Sequence, residues 1–127
     1  MTLRFLGPRP TAEALDVARW LAELEAVQMD CEILRLTGLP RPSGARVLAL
    51  ELESTATLDA LQVRLSERFG PPDRPFRPHV TVARSQRPRR VRTRPLMPGL
   101  HVRLQPPRLY RSDTLPEGAR YCPIVAV

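Results

Sequence analysis

The sequence contains no lysine and no asparagine, and its strongly basic side chains are all arginine. The formal net charge is +7, which favours an anionic partner such as nucleic acid. An arginine-only composition is equally expected from GC-rich coding of the gene. The charge therefore narrows the class of partner without deciding the function.

Cysteine and long apolar runs are also scarce. The two cysteines, Cys31 and Cys122, are far apart and are not grouped with histidine, which argues against a zinc site. We expect both to be small core residues of a cytoplasmic protein. No apolar run approaches the ~18 residues of a membrane span, and Met1 to Arg4 lacks the basic start and apolar stretch of a signal peptide.

Apolar residues recur at helical spacing in two segments of the chain. They predict a helix over residues 12–27, with Thr11 as its N-cap, and a second helix over residues 57–69. Ser54 or Thr55 is the N-cap of the second helix, and the glycine and prolines of residues 70–72 end it.

Several shorter segments have strand character. The clearest is residues 46–53, where Leu48, Leu50 and Leu52 alternate with small and charged residues. The other predicted strands are residues 2–6, 31–36, 80–83, 100–104, 108–111 and 121–127. The order of helices and strands predicts one α+β domain over residues 1–127, with antiparallel sheets and helices on their outer faces.

Arginine recurs at residues 87, 89, 90, 92 and 94 without apolar periodicity, so we expect this segment to be a mobile loop. Its arginines either bind RNA phosphates, each contact adding salt-dependent affinity, or form a solvated arm. The sequence leaves both alternatives open.

The most informative stretch runs from Asp73 to Arg84. If residues 80–83 form a strand, His79 and Thr81 point to the same face, because side chains alternate along a strand. With Arg84 close by, an imidazole, a hydroxyl and a guanidinium would converge. Such a group suits a phosphate, since arginine and threonine donate hydrogen bonds and histidine exchanges a proton near neutral pH.

This stretch resembles a known family. His79-Val80-Thr81-Val82 resembles the second signature of the 2H phosphoesterases, which carry two His-x-Thr-x motifs. The longer run from Pro75 to Arg84 is similar to the bacterial LigT/ThpR branch, the RNA 2′,3′-cyclic phosphodiesterases that are also called 2′-5′ RNA ligases. The run from Thr2 to Gly7 resembles the first motif of that family, and residues 109–112 and 118–121 resemble its closing strands.

The resemblance implies a LigT-like fold, in which two antiparallel sheets line a central groove and helices cover the outer faces. In this register the opening strand and helix of the family are missing, and the first catalytic histidine is expected one residue before Met1. Either the chain starts at an internal methionine of a longer reading frame, or it is a shortened and impaired relative. We also expect the 127-residue chain to be poorly stable or to self-associate, since a sheet edge would be exposed.

The resemblance also implies a mechanism. His79 would be the base that activates water, and the missing histidine would protonate the departing ribose 3′-oxygen. Thr2, Thr81 and Arg84 would bind the phosphate, and neither a metal nor a nucleotide cofactor would be needed. His101 is not followed by x-Thr, so we expect it to be structural or exposed, away from the groove.

The implied substrate is RNA with a 2′,3′-cyclic phosphate end, tRNA fragments being one candidate, and the product is a 2′-phosphomonoester. The reverse reaction would be ATP-independent 2′-5′ ligation. One alternative is a relative that binds RNA ends without turnover. The other is a histidine with only a structural role in a chain whose charge reflects coding bias.

Overall fold

The computed structural model describes residues 1–24 and 28–125. It contains two helices and seven strands among these residues, with a short 3-10 turn at Pro42–Gly44. Their bounds are α1 Thr11–Glu23, β1 Met29–Leu39, β2 Ala45–Leu52, α2 Ala56–Phe69, β3 His79–Arg89, β4 Arg94–Pro95, β5 His101–Leu104, β6 Tyr110–Leu115 and β7 Gly118–Pro123. The predicted α+β class is confirmed. The predicted ends of the first helix at residues 25–27 and of the last strand at 126–127 lie outside the described residues.

The chain divides into two compact units. The first comprises residues 1–5 and 29–104, and the second comprises residues 6–28 and 105–127. The expectation of one domain over residues 1–127 is not tested by this division and stays a prediction. The residues predicted to form the site all belong to the first unit.

A five-stranded antiparallel sheet forms the framework of the first unit. Its strands follow the order β3-β2-β1-β4, and β5 also pairs with β1. The strand β3 is therefore an edge strand of the sheet. The predicted alternation in β2 is confirmed, because Leu48, Leu50 and Leu52 share one face and Leu52 is buried there.

Helix α2 packs against the face that carries these leucines, which we call the helix face. A cluster of Cys31, Leu52 and Leu58 forms the centre of this contact, and Phe76 and Val80 pack around it. Burying each leucine side chain contributes about 1.5–3 kcal/mol to folding. Burial also raises the pKa of the Cys31 thiol, so this side chain stays protonated in the core.

Both ends of α2 are formed by the residue types that the sequence indicated. The hydroxyl of Thr55 accepts a hydrogen bond from the Leu58 backbone N–H at 3.2 Å, so Thr55 rather than Ser54 is the N-cap. At the other end, Gly70 has a φ of 81°, a conformation that glycine adopts without the penalty of a Cβ atom.

The prediction of a strand at residues 2–6 is wrong. The Leu3 carbonyl accepts a hydrogen bond from Gln62 of α2 at 3.2 Å, and Leu3 packs against the core cluster. The Arg4 guanidinium donates to the carbonyl of Gly70 at 2.7 Å, at the C-terminal end of α2. A cation at this position also interacts favourably with the helix dipole. The segment is thus held by the helix rather than by a neighbouring strand.

The prediction of a loop at residues 87–94 is also wrong in part. The strand β3 continues to Arg89, which pairs with Ala45 of β2, and residues 94–95 form the short strand β4. Between them, the Val91 backbone N–H donates to the Pro42 carbonyl at 2.8 Å. Backbone hydrogen bonds tie most of this arginine-rich segment to the sheet, although its sequence has no apolar periodicity.

The second unit contains α1 and a hairpin of β6 and β7. Val17 and Ala18 are the buried side chains of α1. Thr11 is the first residue of the helix rather than its N-cap, because Pro10 occupies the cap position and its carbonyl accepts from Ala14 at 3.0 Å. The hairpin turns at Leu115–Gly118. Neither described helix is long and apolar enough to cross a membrane.

Candidate active site

The ladder between β3 and β2 decides which side chains of the central stretch share a face. His79 pairs with Glu51, Thr81 pairs with Ala49, and Arg84 pairs with Val47. The three partners are alternate residues of a regular part of β2, so they point the same way. His79, Thr81 and Arg84 therefore lie on one face, opposite the helix face, and we call it the site face.

A β-bulge at Val82 makes this arrangement possible. The register shifts between the pairs Thr81–Ala49 and Ala83–Leu48, so Val82 has no partner on β2. In a regular strand, Ala83 would share the face of Thr81, and Arg84 would point to the opposite side. The extra residue shifts the alternation of side chains between the two faces by one position, and this brings Arg84 onto the site face.

Residues of three strands form rows across the site face, because β1 pairs with β2 in the same register. Adjacent strands are about 4.8 Å apart, and alternate residues along a strand are about 7 Å apart. The rows are Arg35–Glu51–His79, Thr37–Ala49–Thr81 and Leu39–Val47–Arg84. Thr37 is buried and its hydroxyl is 2.9 Å from the hydroxyl of Thr93.

The hydrogen bond of His79 determines which ring nitrogen is available for chemistry. Its Nδ1 lies 2.6 Å from the backbone carbonyl oxygen of Arg77. A carbonyl oxygen only accepts hydrogen bonds, so Nδ1 carries the proton. In the neutral imidazole, Nε2 then carries the lone pair and can act as a general base.

One carboxylate and three arginines set the charge of the site face. The Oε2 atom of Glu51 is 3.1 Å from Nε of Arg35, and its Oε1 atom is 3.5 Å from the Arg77 guanidinium. Among the described residues, Arg84 has no acidic side chain within ion-pair distance. The face therefore carries an excess of positive charge beside His79, which suits a phosphate.

Sequence reasoning did not identify Glu51, Arg35 or Arg77 as parts of this site. Alternation in β2 gave a usable signal, since it placed Glu51 on the face opposite the leucines. The two arginines could be assigned only once the pairing of β1 with β2 and the path of residues 77–79 were established.

Thr2 is exposed and lies in the segment that does not form a strand. Its neighbour Leu3 packs against the core cluster on the helix side. No hydrogen bond joins Thr2 to His79, Thr81 or Arg84 among the described residues. The structure therefore places three of the four predicted site residues on one face of the sheet, and the role of Thr2 stays a prediction.

His101 is exposed on β5 and pairs with Glu32. Its Nδ1 lies 2.8 Å from the Gly99 carbonyl oxygen. Three strand spacings separate β5 from β3, which amounts to about 14 Å. In addition, its partner Glu32 lies beyond Arg35 in the direction away from the rows of Thr81 and Arg84. His101 is thus too far from these two residues to act on the phosphate that they bind, as the sequence led us to expect.

A shallow depression lies beside α2 and does not include the site residues. It is lined by Gln62, Val63, Ser66, Glu67, Pro72 and Phe76. Since Phe76 also packs against the core cluster, its position favours a packing role over stacking on a nucleobase. In the part of the chain that the structure describes, no three His, Cys, Asp or Glu side chains are grouped to hold a metal ion.

Comparisons with known proteins agree with this picture. Residues 1–114 match the model of the 2′-5′ RNA ligase superfamily. The chain is 33% identical over 135 aligned positions to a Thermus thermophilus protein named RNA 2′,3′-cyclic phosphodiesterase, and the alignment covers 95% of this chain and 67% of that protein. It also resembles the crystal structure of the Thermus thermophilus protein TT0787, with a TM-score of 0.72 and 28% identity over 97% of this chain and 73% of the other. The predicted resemblance is therefore confirmed, and the chain belongs to the 2′-5′ RNA ligase superfamily of 2H phosphoesterases.

Proposed function

We propose that this protein binds RNA ends that carry a 2′,3′-cyclic phosphate and opens them to 2′-phosphomonoesters. The observation that carries the proposal is the shared face of His79, Thr81 and Arg84, which the bulge at Val82 creates. The name of the Thermus relative supports the same reaction class. We further propose that the protein acts in the cytoplasm.

In the proposed reaction, Nε2 of His79 takes a proton from a water molecule as the water oxygen attacks phosphorus. The bond from phosphorus to the ribose 3′-oxygen breaks, and that oxygen takes a proton from an acid on the opposite side. Thr81 and Arg84 donate hydrogen bonds to the non-bridging oxygens, where negative charge builds up. Thr2 is proposed as a further donor to the same oxygens. None of these steps requires a metal or a nucleotide cofactor.

The acid of this mechanism is not supplied by the histidines of the 127-residue chain. The chain has two histidines, and His101 lies about 14 Å from the base. A general acid typically contributes about 10²- to 10⁴-fold to the rate. We therefore expect the chain to bind cyclic-phosphate ends but to hydrolyse them slowly.

The reaction is tested with a short RNA that ends in a 2′,3′-cyclic phosphate. Product is measured as the gain of one water in mass, and ³¹P NMR distinguishes a 2′- from a 3′-phosphomonoester. The assay compares the 127-residue chain with the same chain carrying one added histidine immediately before Met1. An added histidine that acts as the acid raises the rate by about 10²- to 10⁴-fold. Incubating RNA that has a free 5′-hydroxyl with cyclic-ended RNA tests the reverse formation of 2′-5′ links.

His79→Gln should lower the activity of the extended chain by about 10²- to 10⁴-fold, because the base is lost. His101→Gln is the matched control, since it removes the other histidine of the same sheet and should leave the rate unchanged. If neither the 127-residue chain nor the extended chain forms any product, the hydrolase proposal is rejected.

A second candidate function is the binding of RNA ends without turnover. It is favoured by one observation, namely that the site face carries a single histidine among the described residues. Under this alternative, the 127-residue chain and the histidine-extended chain would both bind a cyclic-ended RNA, and Arg84→Ala would remove this binding. Neither chain would form product. The same two measurements, binding and product formation, therefore separate the candidates.

The arginine-rich segment of residues 87–94 is proposed to contact RNA upstream of the reacting end. Its arginines are exposed and, in the described part of the chain, have no acidic partner within ion-pair distance; they are Arg87, Arg89, Arg90, Arg92 and Arg94. By contrast, Arg64, Arg103 and Arg111 each pair with a carboxylate. Replacing Arg87 and Arg89 by alanine should weaken binding of an oligonucleotide. The slope of log K against log salt should fall by about 0.7 for each arginine that no longer binds a phosphate. Binding of a cyclic mononucleotide should be unaffected.

A further inference from the structure

A carboxylate beside a phosphate site is unexpected, since it repels the ligand. Glu51 nevertheless occupies the centre of the first row, between Arg35 and His79. Its side chain is 23% exposed, whereas Asp30, in the single ion pair with Arg103 on the same sheet, is 52% exposed. Each carboxylate oxygen of Glu51 contacts one guanidinium, so the group is held from both sides.

Arg77 connects this carboxylate to the proposed base. Its guanidinium lies 3.5 Å from Glu51 and 3.4 Å from the Pro40 carbonyl oxygen, while its own backbone carbonyl accepts the proton of His79 Nδ1. The residue that follows, Pro78, restricts Arg77 to an extended conformation. The Pro78 carbonyl in turn accepts from the Leu52 backbone N–H at 2.9 Å.

These contacts lie on both sides of the peptide unit that carries the acceptor of the His79 hydrogen bond. The backbone bond to Leu52 holds the next peptide unit, through the Pro78 carbonyl, and the ion pair with Glu51 holds the Arg77 side chain before it. We propose that Glu51 is a positioning residue that acts through Arg77 to keep the Nε2 lone pair of His79 directed at the phosphate site. The catalytic consequence rests on the proposed function of His79, but the tautomer itself does not.

A simpler account is that Glu51 forms ordinary cross-strand ion pairs, which contribute little to stability when exposed. The two accounts differ in one observable. A positioning role through Arg77 couples the tautomer of His79 to Arg77 as well as to Glu51, whereas ordinary ion pairs leave the tautomer unchanged when Arg77 is replaced. His101 provides an internal reference, because it makes the same type of hydrogen bond, from Nδ1 to the carbonyl two residues earlier, without such a clamp.

The test measures the ring tautomers of both histidines by ¹⁵N NMR at a pH where they are neutral. In the wild-type chain, His79 should carry its proton on Nδ1. In Glu51→Gln, which keeps the shape and removes the charge, the ratio of tautomers should shift about fivefold toward Nε2–H, the ratio that one ordinary hydrogen bond represents. The signals of His101 should not change, and Glu51→Asp should restore part of the wild-type ratio.

Asp30→Asn is the matched control, because it breaks one ion pair of the same sheet away from the site. It should leave the tautomer of His79 unchanged. Arg77→Met provides a second route if Glu51→Gln fails to fold, since it removes the guanidinium and should give the same shift. An unaltered His79 tautomer in whichever of these variants folds, as judged by circular dichroism, overturns the proposal.

In the histidine-extended chain, Glu51→Gln should lower kcat with little change in KM, because the substrate contacts are kept. If that chain hydrolyses no RNA, the proposed function fails while the tautomer measurement still decides the role of Glu51. If hydrolysis occurs and Glu51→Gln changes neither kcat nor the tautomer, the positioning role fails alone.

Discussion

Replacing Arg84 by alanine should weaken binding of a cyclic-phosphate RNA end without unfolding the protein. Arg84 is exposed and has no acidic partner among the described residues, so its removal leaves no charge stranded. A hydrogen bond between a charged pair contributes about 1.5–3 kcal/mol. At 1.4 kcal/mol per factor of ten, that corresponds to affinity that is about 10- to 150-fold weaker.

A charge-conserving exchange separates the effect of position from the effect of net charge. The double variant Ala83→Arg with Arg84→Ala moves the guanidinium by one residue. Because Ala83 pairs with Leu48 on the helix face, the moved side chain should point away from the phosphate. The exchange should therefore bind as weakly as Arg84→Ala, although its net charge equals that of the wild type.

Fluorescence anisotropy with a labelled, cyclic-ended RNA at fixed salt measures the affinity of the wild type, of Arg84→Ala and of the exchange variant. Thermal unfolding by circular dichroism verifies that the variants remain folded. If the exchange variant binds more tightly than the wild type, residue 83 rather than residue 84 lies on the site face, and the bulge at Val82 is refuted. If the two bind equally, the face that carries the arginine does not determine the affinity. If Arg84→Ala itself binds like the wild type, Arg84 is not a phosphate ligand.

Other predictions concern stability. Arg4→Ala should lower the free energy of unfolding by about 1.5–3 kcal/mol, because a charged donor to the end of α2 is lost. Arg64→Ala, which removes an exposed ion pair on that helix, should change it by less than about 0.5 kcal/mol, and urea denaturation measures both. Thr55→Ala should cost about 1 kcal/mol in the same assay, through the loss of the N-cap. Since burial raises the pKa of Cys31, the unfolded chain releases this proton first, and stability should fall above about pH 8.5 by at most about 1.4 kcal/mol per pH unit. A Cys31→Ala variant that retains the same slope between about pH 8 and 10 would contradict this assignment.

Elements with strong periodicity could be predicted from the sequence. The alternation of residues 46–53 gave the strand β2 and the common face of its leucines, although Ala45 and Ala49 on the other face are buried as well. The second helix was bounded correctly within one residue, since Thr55 and Gly70 satisfy its ends by local chemistry. Local patterns of this kind require no knowledge of distant partners.

Elements that depend on a distant partner were missed. The segment around Arg4 is held by α2, and the extension of β3 to Arg89 depends on pairing with β2. Neither interaction leaves a periodic signal in the segment itself. The same reason explains why the site was predicted only in part. Local alternation was enough to place His79 and Thr81 on one face, but the face of Arg84 depends on how β3 pairs with β2.

The bulge at Val82 has a consequence for how this strand tolerates insertions and deletions. Removing Val82 would leave every described pair between residues 79–84 and β2 in register, so the three polar side chains would keep their common direction. Removing Val80 instead would invert His79 relative to Thr81. Deleting Val82 thus preserves the site face, whereas deleting Val80, two residues earlier, disrupts it. The spacing of such a motif is best counted by the residues of the adjacent strand with which it pairs.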